Sequence, residues 1–252
     1  MKIFAQVNRI MSNIEKDYSF IFLTLTCKNV DGRSLNKQID KLIAAFKALC
    51  LRKQFKTAVR GWCRAFEVTY NWSSEEYHPH FHVILAVDKD YFTSARYITQ
   101  DEFCVMWQSC LDVDYKPIVH VKKFTESEKG KGKEVAEVAK YTIKASNVMA
   151  NLQPVSTYSQ DIQAEVKRVT DKITDEIVFV LDAALRNRRL MGYGGIFKTV
   201  RQKLKLDDDI DSDLIRTADK GGDMATVDLP FEIERYRWNI GLRNYARIYD
   251  EG

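Results

Sequence analysis

Residues 58–87 read AVRGWCRAFEVTYNWSSEEYHPHFHVILAV, and the reading of the whole chain turns on them. Ala58–Tyr70 is rich in β-branched and aromatic residues, Asn71–Trp72–Ser73–Ser74 supplies turn chemistry, and Phe81–Val87 is a second apolar run. That pattern predicts two antiparallel strands joined as a hairpin. Side chains alternate along a strand, so His80 and His82 share one face while Phe81 points into the core. With Trp72–Tyr77 as the loop and Asn71 opposite His78, Glu67 falls opposite His82 on that same face. A slip of one residue would turn Glu67 away.

Outward from the hairpin, Phe20–Thr26 (FIFLTLT) predicts a half-buried strand. Leu35, Ile39, Leu42, Ile43, Phe46, Leu49 and Cys50 recur at helical spacing and predict a helix over 34–55, with Ser34 as N-cap. Thr99–Leu111 reads as a helix opened by a Thr99/Glu102 capping box. Pro117–Phe124 is a short strand, Glu126–Lys133 a charged, flexible connection, and 134–149 a helix. The order β-α-β-β-α-β-α predicts an α+β fold, a central, mainly antiparallel sheet with helices packed on it. Asn151, Gln153, Pro154 and Ser156 break the pattern. The expected division is therefore a domain over 1–152 and a mostly helical segment over 153–252, with a Gly-rich turn at Gly192–Gly195 and an acidic tail.

The 252 residues are 45% apolar and 29% charged, with 11 Gly and 4 Pro, which excludes a collagen-like or largely disordered chain. Apolar runs are only a few residues long, so no membrane span is expected, and no signal peptide is visible at the N-terminus. The five cysteines lack C-x-x-C spacing, which argues against a disulfide framework and fits a reducing cytoplasm. Residues 1–70 hold 13 Lys/Arg against 5 Asp/Glu, whereas residues 205–252 hold 7 against 12. A basic first third interleaved with aromatics suits a phosphate-binding surface, although lysines also simply solvate helix faces.

Two constellations carry chemistry. Adjacent same-face imidazoles at His80 and His82 can share a divalent ion, and Glu67 would complete an N/N/O set with open positions. Such a set suits Mn²⁺ or Mg²⁺ and does not exclude Zn²⁺. The competing reading is a set of histidines that only hydrogen-bond. His78 would supply an outer contact or cap the strand. On the helix over 134–149, Glu137 and Tyr141 lie one turn apart and Lys144 three residues further on, with Lys140 beside them. A tyrosine hydroxyl near a cation and a lysine is a usable nucleophile, though the same spacing is also common helix chemistry.

The motifs FLTLT at Phe22–Thr26, HPHFH at His78–His82 and KYTIK at Lys140–Lys144 occur in an order similar to that of rolling-circle plasmid replication initiators of the HUH endonuclease superfamily. EVTYN at Glu67–Asn71 and LRNRRLMGYGGIFK at Leu185–Lys198 resemble the same family, so the likeness covers most of 19–200. It implies a DNA nicking-closing enzyme that acts at a plasmid origin on single-stranded or hairpin DNA. Tyr141 would attack the scissile phosphate to leave a 5′-phosphotyrosine and a 3′-OH primer. Glu137 would activate water for the final release, as in the single-tyrosine branch, and Lys144 with Lys140 would orient the phosphate. The implied cofactor is Mn²⁺ or Mg²⁺ on His80, His82 and Glu67. The implied partners are origin DNA with host helicase and DNA polymerase, in the cytoplasm, the protein being a monomer or weak oligomer with no membrane association. A single-tyrosine HUH transposase or relaxase, and a non-catalytic nucleic-acid-binding module, are the competing readings.

Overall fold

A computed structural model describes residues 2–124, 160–206, 235–239 and 244–248. The chain forms two compact units, residues 1–217 and 218–252. In the first, α1 (Lys2–Ile14) precedes β1 (Tyr18–Thr26), α2 (Gly32–Leu51), the short α3 (Lys53–Ala58), β2 (Val59–Asn71) and β3 (Glu76–Asp88). Then come α4 (Gln100–Leu111), β4 (Val119–Lys123), α5 (Gln160–Leu185), β5 (Met191–Gly195) and α6 (Ile196–Lys203). The strands form one antiparallel sheet in the order β4-β1-β3-β2-β5, an α+β architecture as expected.

Alternation sorts the sheet into two faces. One carries Leu23 and Leu25 of β1, Phe66 and Val68 of β2, and Phe81, Val83 and Leu85 of β3. Against it pack Leu35, Ile39, Leu42, Phe46 and Leu49 of α2, Phe103, Trp107 and Leu111 of α4, and Ile177, Leu181 and Leu185 of α5. The opposite face is apolar over half its length, where Phe20, Cys63, Ala65, Ile84 and Ala86 meet Val7, Ile10, Met11 and Ile14 of α1 and Phe197 and Val200 of α6. Further along the same strands the inward sequence changes to Thr24 and Thr26 on β1, Glu67 on β2, and His82, His80 and His78 on β3. That half of the face is thus furnished by hydroxyl, carboxylate and imidazole groups rather than by aliphatic side chains.

Local chemistry explains where several elements begin and end. Asp31, not Ser34, caps α2, its Oδ1 accepting from Ser34 N–H at 2.8 Å. The helix predicted to run to residue 55 stops at Leu51, and the extended backbone at Arg52 lets α3 restart and bury Phe55. The capping box of α4 forms as expected: Thr99 Oγ1 accepts from Glu102 N–H at 3.2 Å, and Glu102 Oε2 accepts from Thr99 N–H at 2.7 Å. In the hairpin, Asn71 Oδ1 accepts from Ser73 N–H at 2.9 Å, and Glu75 takes the left-handed conformation (φ 55°). β3 starts at Glu76, well before the expected Phe81, and so passes through Pro79. A proline is tolerated there because β1 pairing ends at Thr26 opposite His80, so no strand awaits the missing N–H.

Among the described residues after 153, strands appear where the sequence suggests a turn or helix. Gly192–Gly195, expected as a turn, is most of β5, paired to β2 through Trp62↔Gly194 and Arg64↔Gly192. A Cβ on Gly194 would lie 2.3 Å from the Trp62 indole, so the glycines clear a path for that ring, while Gly195 adopts φ 55°. β5 and α6 thus lie beyond the division expected near residue 153, yet they extend the sheet and core of the first unit. The second unit contains an antiparallel pair, β6 (Arg235–Asn239) and β7 (Asn244–Ile248), where helix was expected. No helix of the described residues is long and apolar enough to cross a membrane.

Two stability predictions follow from these contacts. Gly194→Ala forces the Trp62 ring to move and should destabilise the fold by about 2 kcal/mol in denaturant melts. At the other end of β3, Asp88 accepts from Arg60 at 2.6 Å and from Arg96 at 2.5 Å. The Arg60 hydrogen bond, aided by Arg96, holds the Asp88 carboxyl below its ordinary range. A depressed folded-state pKa contributes stability above the unfolded value, about 3.9, and loses it as pH falls further. Asp88→Asn should therefore cost about 1 kcal/mol at pH 7, and the gap from wild type should shrink as the pH drops below 4.

Candidate metal centre

The three central strands converge on Glu67, His80 and His82. β3 supplies both imidazoles from alternate positions, and β2 sets Glu67 directly opposite His80. The expected pairing was Glu67 with His82. The hairpin is instead two residues tighter, pairing Asn71 with Glu76. Because the strand period is two, this shift leaves Glu67 on the histidine face. Glu67 Oε2 lies 2.9 Å from His82 Nε2 and 3.4 Å from His80 Nε2, and the two Nε2 atoms are 3.2 Å apart. Metal–ligand bonds of about 2.1 Å hold neighbouring donors roughly 3 to 3.5 Å apart, so the donor set and its spacing fit a divalent ion. Among the described residues, this is the group of His, Cys, Asp and Glu side chains whose ligand atoms all lie within 4.8 Å of one another.

The surroundings fix the orientation of each ring. His80 Nδ1 lies 3.0 Å from the His78 carbonyl oxygen, which can only accept, so the proton sits on Nδ1 and Nε2 is left as the donor atom towards a metal. His82 Nδ1 lies 3.3 Å from Thr24 Oγ1, and the Phe22 ring stacks on the imidazole with centroids 5.5 Å apart. His78 Nδ1 is 2.8 Å from Asn29 Oδ1. His78 therefore stands behind the pair as an outer contact, joined to His80 through its own backbone. Glu67 is only 4% exposed. Burial pushes its pKa up, but the hydrogen bonds and charges of His80 and His82 outweigh burial and hold the carboxyl well below the usual range. Burial and then His80 push the pKa of His78 down. The shift at Glu67 favours its carboxylate, the form in which that side chain binds a metal.

The sequence-expected ligands His80, His82 and Glu67 are thus brought together. Tyr141, Glu137, Lys144 and Lys140 lie outside the described residues. Sequence reading missed Thr24 and Asn29 as supports. The signal for Thr24 was present in FLTLT, whose alternate threonines the register sets opposite His82 and His80. Asn29 follows β1 in a connection, and only the folded chain brings it to His78. Burial pushes the Cys27 thiol up to about 11 and the Cys50 thiol up to about 12, which disfavours either as a nucleophile.

The centre sits in a chain with clear relatives. It is 33% identical over 247 residues to a "Protein rep" of Bacillus amyloliquefaciens, covering 97% of this chain and 71% of that one. A "Protein rep" of Streptococcus pneumoniae serotype 2 is 34% identical over 250 residues, covering 97% and 70%. A "Replication protein" of Staphylococcus aureus is 31% identical over 253 residues, covering 97% and 98%. No solved structure matches the chain. The sequence model of the Rep_1 family, described as "Replication protein", matches residues 1–246. With a sheet that gathers two histidines and a glutamate, and relatives of this kind along nearly its whole length, the chain belongs to the Rep_1 family of replication proteins.

Proposed function

We propose that the protein initiates rolling-circle replication of a plasmid by nicking and rejoining one strand at the origin. The observation that carries this reading is the meeting of His80 Nε2, His82 Nε2 and Glu67 Oε2 within 3.4 Å on the polar half of the sheet. A divalent ion on these atoms, Mn²⁺ or Mg²⁺, supplies positive charge to the scissile phosphate oxygens. His78, Thr24 and Asn29 hold the two rings in register for that role.

Tyr141 is the nucleophile in this reading. Its phenolic oxygen forms the new bond to phosphorus, the P–O3′ bond breaks, and the phenol proton is balanced by protonation of the departing 3′ oxygen. One phosphodiester replaces another, so the bond energy is kept for the later rejoining step. The free 3′-OH primes leading-strand synthesis. Lys144 and Lys140 orient the phosphate, and their charge favours the phenolate. No second tyrosine follows Tyr141 within KYTIKA, so termination needs water, which Glu137 activates one helical turn earlier. The remaining partners are those a replication origin requires, a helicase and a DNA polymerase of the host, and the compartment is the cytoplasm. Residues 1–152 carry both constellations named above. The later segment, from 153 onward, adds β5 to the sheet that holds Glu67, His80 and His82.

The test is a labelled origin oligonucleotide incubated with the protein and Mn²⁺, followed on a denaturing gel. A covalent adduct is expected from the wild type, none from Tyr141→Phe and none in EDTA; an adduct that survives either change rejects the assignment. Glu137→Gln should still form the adduct yet fail to release it by hydrolysis, so that covalent product accumulates. His82→Ala should weaken Mn²⁺ binding at least tenfold in calorimetric titration while the protein stays folded by circular dichroism.

A further inference from the structure

Three of the four histidines gather at the candidate metal centre; the fourth, His120, lies on β4. The sheet register leads from the centre to it. Thr24 of β1 pairs with His82 on one side and with His120 on the other, so the three occupy one row. Directly opposed residues share a face of the sheet. The face is that of the metal centre, because Thr24 Oγ1 lies 3.3 Å from His82 Nδ1. In the next row Phe22, whose ring stacks on His82, pairs with Lys122. One row further, Phe124 meets Phe20 in the apolar half of the same face, ring centroids 6.0 Å apart. The alternate positions of β4 belong to the opposite face. There Val119 is buried in the main core, and Lys123 Nζ lies 4.5 Å from the Phe92 ring centroid.

His120 and Lys122 are both exposed. Among the described residues the His120 ring takes part in no hydrogen bond or ion pair. Two interstrand spacings of about 4.8 Å set β4 roughly 10 Å from β3. Beside His80 and His82, the strand between them contributes only the short side chains of Thr26 and Thr24 to this face. The strip from His82 through Thr24 and Phe22 to His120 and Lys122 holds no carboxylate, so it suits an anion and not a second metal. An imidazole N–H and an ammonium both donate to phosphate oxygens. We propose that His120 and Lys122 grip a backbone phosphate of single-stranded DNA, one that flanks the phosphate at the metal centre, so that the strand crosses β1 over Thr24. The inference rests on the nicking reading for its ligand, but its residues and its test are separate from Tyr141 and from the metal.

The test uses the full chain and a fluorescein-labelled oligothymidine of about 20 nucleotides, with anisotropy titrations in EDTA at several salt concentrations. Lys122→Ala should weaken binding about fivefold and flatten the slope of log K against log salt by about 0.7, one phosphate contact. Lys122→Arg should keep the slope. His120→Ala should also lower the affinity, and His120→Gln, which retains an N–H donor, should recover part of it. Lys123→Ala removes the adjacent cation from the opposite face and should bind as the wild type does. Equal losses in Lys122→Ala and Lys123→Ala overturn the proposal, since they report overall charge and not a face of β4. Wild-type affinity and slope in both Lys122→Ala and His120→Ala overturn it too, as does a wild type that does not bind the oligothymidine. A deficit in Lys122→Ala and His120→Ala but not Lys123→Ala, together with a wild type that forms no covalent adduct in Mn²⁺, upholds the grip and rejects the nicking reading.

Discussion

The register between β2, β3 and β1 is the constraint on which the site depends. It stacks Glu67, His80 and Thr26 in one row across the sheet, and Ala65, His82 and Thr24 in the next. Glu67 and His80, costly to bury singly, are buried together against the half-buried His82, each within hydrogen-bonding reach of another. The apolar residues a few positions along the same strands hold the register in place. Ile84 and Ala86 pack under α1 and α6 while Phe81, Val83 and Leu85 face the other layer, so a slip of one residue would drive His80 and His82 into the apolar core and turn Phe81 onto the site. Core and site therefore fix each other through the parity of a single face.

That parity is also why so much was legible in the sequence. The alternation of His80, Phe81 and His82 assigned the faces before any pairing was known, and an error of two residues in the hairpin left the assignment of Glu67 intact. The apolar spacing in α2 and the capping box of α4 were equally plain, because both are signals carried within one turn of helix. What was lost depended on partners distant in sequence. The strand expected from Phe81 begins at Glu76, because β1 pairing ends before Pro79 and leaves its missing N–H without a partner to satisfy. The glycines of β5 looked like a turn, since nothing local announces that an indole lies across them. Asn29 acquires its role only when the connection after β1 folds back to His78. In α1, Val7, Ile10, Met11 and Ile14 do have helical spacing, and the reading simply passed over them.

The two faces of the sheet divide the labour. One is filled by α2, α4 and α5 and contributes the bulk of the apolar burial. Among the described residues, the other is packed by α1 and α6 over its apolar half, and its polar half holds Glu67, His80 and His82. A site on a central strand pair, flanked by further strands on both sides, is held rigidly by backbone hydrogen bonds, a better basis for fixed donor spacing than a loop provides.

The lengths of the strands have a consequence of their own. The three inner strands run for 9, 13 and 13 residues, while β4 and β5, at the margins of the sheet, have 5 each. A short border exposes few unpaired amides and carbonyls to a passing chain, and Lys122 and Lys123 put charge on one of the two. The sheet is thereby guarded against fusing edge to edge with a second molecule, a hazard for any protein whose inner strands are as long and as apolar as β3.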